Sequence, residues 1–256
     1  MSSFRAAHAL LLLPLSFAVL KAADARPTVD EIVQKYIDAR GGLEKIHAIQ
    51  TVKMVGSADF NGQMQGEITV QTKRPNLFRF DMSPPQGSVI QAFDGTTSWS
   101  VNPFTGGVEP KKDPDADTAA AADLHDIDGS LVDYKTKGNK VELQGVEDVN
   151  GSPAYKLKVT SKGGTVSTVW IDKATYHDVK MAQTRPMNGQ DVEVTVLLSN
   201  FKPVNGVLTP FTFDQSFGEM NMKIDFTSAQ ANVPIDDAIF HMPASSSTAA
   251  PNGATK

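Results

Sequence analysis

Residues 51–70 read TVKMVGSADFNGQMQGEITV. Val52, Met54, Gly56, Ala58 and Phe60 alternate with Lys53, Val55, Ser57 and Asp59, the period of two that marks a strand with one buried face. Asn61-Gly62 then supplies two residues that tolerate positive φ, the signal of a type I′ hairpin. Gly66, Ile68 and Val70 resume the alternation against Glu67, Thr69 and Gln71. A tight turn joins antiparallel strands, so this stretch predicts a hairpin and sets the fold class for what surrounds it.

The same pattern continues downstream. Lys73-Arg74-Pro75-Asn76 turns the chain into Phe78, Phe80 and Met82, opposite Leu77, Arg79 and Asp81. Strands follow over 87–93 and 96–101, and after an interruption over 141–149, 155–160, 166–172 and 179–184. Val192, Val194, Val196 and Leu198, then Phe211, Phe213 and Phe217, then Met220, Met222, Ile224 and Phe226, complete the series. The interruption, 110–130, holds Pro110, Pro114, five aspartates between 113 and 126 and an alanine run, and is expected to be a loop with a short helix. Short strands without alternating helices predict a mainly antiparallel β protein, sandwich or barrel, and argue against a parallel α/β fold.

Upstream, Thr28-Val29-Asp30-Glu31 has the form of a capping box, and Val29, Ile32, Val33, Tyr36 and Ile37 form one helical stripe ended by Gly41-Gly42. A second short helix is expected over 43–49. Arg5, the apolar run 9–20 and Ala23-Asp24-Ala25 read as a signal peptide over 1–25. The organisation expected is therefore a leader (1–25), one β domain (26–243) and a disordered Ser/Ala/Thr/Pro tail (244–256). An exported, soluble periplasmic monomer without a lipid anchor follows, since no cysteine is present to carry one.

Composition narrows the function. The chain of 256 residues carries 24 basic and 29 acidic residues, net −5, with its lysines dispersed, which argues against a nucleic-acid partner. Zero cysteines remove thiol nucleophiles, thiolate metal sites and iron–sulfur clusters. His47, His125, His177 and His241 lack zinc-ligand spacing, and the acidic run near His125 reads better as a solvated loop than as a calcium site. No nucleophile elbow or P-loop occurs. No catalytic residue, metal or cofactor is expected, although the carboxylate pairs Asp236-Asp237 and Glu147-Asp148 keep a carboxylate-dependent hydrolase open as an alternative.

Large, adaptable side chains recur along the apolar faces: Met54, Phe78, Phe80, Met82, Phe213, Phe217 and Met222, with Trp99 and Trp170 as further candidates. Two readings stay open, a conventional filled core and a cavity that accepts acyl chains. A filled core would leave a periplasmic protein-interaction module.

Four stretches carry a resemblance: 29–46 (VDEIVQKYIDARGGLEKI), Lys73-Arg74-Pro75-Asn76, 94–99 (DGTTSW) and 234–240 (PIDDAIF). Together they resemble the outer-membrane lipoprotein-sorting proteins of the LolA-like superfamily, over nearly the whole chain after the leader. The resemblance implies an open antiparallel β-barrel of about eleven strands. Its N-terminal helix and short mid-chain helical insert would cover a hydrophobic concave face that binds the acyl chains of lipoproteins or free lipid, in a periplasmic carrier or sensor. It implies membrane-bound donor and acceptor proteins as partners, and a basic residue at the rim that matters for taking over cargo, with Arg74 and Arg79 as candidates. The helix 29–40 is expected to act as a lid.

Overall fold

The computed structural model describes residues 26–85, 87–104, 107–115, 118, 121, 124–187 and 190–243. The expected leader, the expected disordered tail and the turn Asn188-Gly189 lie outside them.

The capping box at residue 28 forms as written. Thr28 Oγ1 accepts from the Glu31 amide at 3.2 Å, and Glu31 Oε2 accepts from the Thr28 amide at 2.7 Å. Helix α1 (Val29–Ala39) buries Ile32, Val33, Tyr36 and Ile37, four of the five stripe residues, and α2 (Leu43–Ala48) follows. Each such apolar side chain contributes about 1.5–3 kcal/mol when fully buried, enough to fix a helix of this length that would be marginal alone.

Strands β1 (Thr51–Phe60), β2 (Met64–Lys73), β3 (Leu77–Ser83), β4 (Val89–Phe93), β5 (Ser98–Asn102) and β6 (Gly107–Lys112) form an antiparallel meander. β7 (Lys140–Val149), β8 (Ser152–Thr160), β9 (Val166–Asp172), β10 (Asp178–Met187) and β11 (Gln190–Ser199) form a second. β14 (Thr212–Phe217) and β15 (Met220–Ala231) join them, because β15 pairs with β1 and β14 with β11. The result is one sheet of thirteen strands in the order β6-β5-β4-β3-β2-β1-β15-β14-β11-β10-β9-β8-β7. Its edges, β6 and β7, do not pair, so the curved sheet is open.

A separate hairpin, β12 (Lys202–Val204) and β13 (Val207–Thr209), projects from it. These three-residue strands and β6 raise the count above the eleven or so expected. The former are too short to show a period, and Pro110 disguises the latter, which tolerates it as an edge strand. Asn61 and Gly62 take φ of 51° and 68°, the positive values that a type I′ turn requires.

The pairing register assigns the faces. Met54 lies opposite Val70, Val70 opposite Phe80, Ala58 opposite Ile224, and Ile224 opposite Phe213. These side chains share one face, called here the inner face. On the second half it continues through Val194, Gln183, Ser167 and Val159, each register partner of the last. Helix α1, α2 and residues 131–132 pack on this face over β8 and β9, forming one core with Leu157, Val159, Val169 and Ile171. A second core unites Met54, Ile68, Met82, Ile224 and Phe226 with Val204 of the hairpin. At Gly56, where β1 bulges against β15, a Cβ would stand 2.2 Å from the Asp225 carbonyl oxygen, so only glycine fits.

Candidate functional site

Seven of the nine expected lining residues share the inner face: Met54, Phe78, Phe80, Met82, Phe213, Phe217 and Met222. Met54, Met82 and Met222 are buried, whereas Phe78, Phe80, Phe213 and Phe217 are half-buried. Phe60, Met64, Val70 and Val89 extend this half-buried apolar surface. Phe213 meets Phe226 edge-on at 5.7 Å.

Trp99 and Trp170 stand on the outer face. Trp99 pairs with Ala92, itself opposite Arg79, and its indole N–H donates to the Phe240 carbonyl at 2.7 Å. The segment that ends in Phe240 therefore seals that surface. Trp170 packs with Val149, Ala154 and Leu197, and the ammonium groups of Lys156 and Lys180 lie 5.2 and 4.5 Å from its ring centre. Parity within each strand places both indoles away from the inner face.

The two arginines also separate. Arg79 faces outward, chelated by Asp81 and donating to the Ile239 carbonyl at 2.7 Å. Arg74 lies at the end of the inner face, in the turn between β2 and β3. Its guanidinium grips Asp128 through two bonds of 2.5 and 2.8 Å and donates to the carbonyls of Ile46 and Ile49 at the end of α2. Asp128 is buried, not solvated as its acidic surroundings suggested. Burial disfavours its charge, and the Arg74 grip more than offsets this, holding the carboxyl below its ordinary range.

Arg74 is one of several ties on a roof made of residues 124–137. Arg40 donates to the Asp128 carbonyl and the Tyr36 hydroxyl, both at 3.0 Å. Lys137 pairs with Asp126, His47 with Asp133, and Tyr134 and Lys135 both bond Asp30 of α1. Burial pushes the Asp178 carboxyl up against the pull of Arg40, and it pushes the Tyr36 hydroxyl up as well. The start of the roof, residues 124–130, is thus held by polar bonds, while its residues 131–132 and α1 are held by packing.

Two cavities lie beneath the roof. The smaller, about 230 Å³, is lined by Ile46, Ile49, Val52, Phe78, His125 and Asp128 among others. The larger, about 590 Å³, lies over β8 to β11 and is walled by Val159, Met181, Gln183, Val194 and Val196. Leu124 and Asp126 line both, so the start of the roof is the partition between them. A volume of this size is in the range of small-molecule sites. Sequence reasoning missed the larger cavity because its wall residues are of medium size; the signal was present in the alternation of Val192, Val194, Val196 and Leu198. Among the described residues no group of three or more His, Asp or Glu side chains could hold a metal ion.

No family model matches the chain. An outer-membrane lipoprotein carrier protein from Pectobacterium carotovorum is 28% identical over 176 residues, covering 66% of this chain and 84% of that protein. Among solved structures, a DUF1329 family protein from Desulfovibrio piger superposes with a TM-score of 0.55 at 14% identity, over 83% of this chain and 97% of that one. A LolA superfamily protein from Nitrosomonas europaea gives 0.54 at 14% identity, over 84% and 98%. Those two likenesses are of fold. The open sheet with its helix-covered inner face is thus the fold of the LolA superfamily structure, and along its sequence the chain is similar to the lipoprotein carrier proteins.

Proposed function

We propose that the protein carries acyl chains of lipoproteins or lipids across the periplasm, loading from and unloading to membrane-bound partners. The observation that carries this reading is the unclosed inner face, where Phe60, Phe80, Phe213 and Phe217 stay half-buried on the sheet face that also walls the two cavities. Each methylene withdrawn from water stabilises the complex by about 0.8 kcal/mol, so even part of an acyl chain laid on this surface gives useful affinity. The similarity to a lipoprotein carrier points the same way.

Carriage also requires release. Helix α1 is too well packed to serve as the lid, with four side chains buried in the first core. The start of the roof, residues 124–130, is the better moving part, since its ties are exchangeable polar bonds and it stands between the two cavities. Arg74, the rim cation on this face, latches that roof. No step of chemistry is needed.

Native mass spectrometry of protein purified from an envelope fraction, followed by organic extraction, tests the proposal. Lipid or acylated peptide bound in near-stoichiometric amount is the expected result. An apo mass that stays unchanged when lipids and a tripalmitoyl peptide are offered would overturn it.

A further inference from the structure

We infer that the larger cavity takes a single-chain amphiphile with an anionic head, the head lying toward Lys162 and Arg185 and the tail running inward over Met181 and Val196. This rests on the acyl-carrier reading and narrows its ligand.

The argument is the gradient along the cavity wall. At one end stand the turn residues Ser161, Lys162, Gly163 and Thr165, with Arg185 on the inner face of β10 beside them. Two residues inward along β10 is Gln183, whose register partners Ser167 and Val194 lie on either side. Two further is Met181, between Val169 and Val196, and beyond Val169 the core under α1 closes the space. The wall thus passes from cationic to polar to apolar in the direction in which the chain of an amphiphile would enter.

Cations outnumber carboxylates along the described wall. Lys137, Lys162 and Arg185 line the cavity, and Asp126 is the one carboxylate among its described lining residues. Asp126 is already held by Lys137 at 2.5 Å, and Lys162 makes no ion pair with a described residue. Its stem runs beside Gly138, and its backbone amide donates to the Asn139 side-chain oxygen at 3.2 Å, which holds the turn at the cavity's end. Midway, Gln183 Oε1 is buried without a hydrogen-bond partner. A buried acceptor of this kind calls for a donor, and a hydroxyl next to the head, as in a glycerol backbone, would supply it.

The test is equilibrium binding to the full chain of four probes of equal chain length below their micellar concentrations: palmitate, palmitoyl lysophosphatidate, methyl palmitate and a tripalmitoyl peptide. The expected result is that both anions bind about tenfold or more tightly than methyl palmitate. In K162Q/R185Q that preference disappears while methyl palmitate binding is unchanged. Should the double variant not fold, salt gives the same answer in the wild type: raising it from about 0.05 to about 0.5 M weakens the anions selectively. A tighter lysophosphatidate than palmitate assigns the Gln183 contact; a preference confined to palmitate still supports the anionic site. Equal affinity for charged and neutral probes, or a preference that survives both the double variant and salt, overturns this inference and leaves the carrier reading standing. Absence of binding by all four probes overturns both.

Discussion

The two halves of the sheet solve the same problem differently. Over β8 and β9 the inner face carries Leu157, Val159, Val169 and Ile171, at most 2% exposed, sealed beneath α1. Over β1 to β3, β14 and β15 it carries phenylalanines and methionines, several of them half-buried, with only the small β12/β13 hairpin packed on their core. Branched residues with few rotamers suit a surface that is covered once during folding. Flexible Met and flat Phe suit one that meets changing partners. The difference teaches that one half is sealed by a helix, while the other keeps part of its apolar face open around a core of its own.

Substitutions at equivalent depth break this comparison or sharpen it. Leu157 is fully buried, so Leu157→Ala is expected to cost about 2–5 kcal/mol in urea unfolding, while the folded fraction keeps its acyl binding. Phe213→Ala, on the other half, removes a half-buried ring and is expected to cost only about 1 kcal/mol, yet to weaken acyl-chain binding markedly. The reverse ranking, with Phe213 dominating stability and Leu157 dominating binding, would show that the roles of the two halves are exchanged.

The fold was legible in the sequence because period-two alternation and Asn-Gly turns are local signals, and α1 because its cap and stripe are. Facing was less so. Alternation says that Trp99 lies opposite its neighbours Ser98 and Ser100, but only pairing across three strands shows that those serines share the inner face with Phe80 and that the indole does not. Arg74 could be named as a rim cation, whereas its partner Asp128, 54 residues away, could not, because nothing local distinguishes a carboxylate that will be buried from one in a solvated loop. Choosing lining residues by size led to the phenylalanine half and past the larger cavity.

A further effect, seen only on acidification, concerns the joint between the halves. His125 stacks on Phe78 of the first half with ring centres 3.7 Å apart and planes 7° from parallel. Burial, and then the positive charge of Arg185 on the second half, pushes its pKa down to about 3. The unfolded chain binds that proton near pH 6.5. Between about pH 6.5 and about pH 3 the unfolded state therefore holds more protons than the folded one, and stability falls as pH is lowered through that window, with no contribution above it. His125→Gln should flatten this dependence in urea midpoints compared at about pH 7 and about pH 5. If wild type and variant lose stability equally, His125 titrates freely in the folded state. The roof would then stand open over both halves, and the partition between the cavities would be a feature of the loaded protein alone.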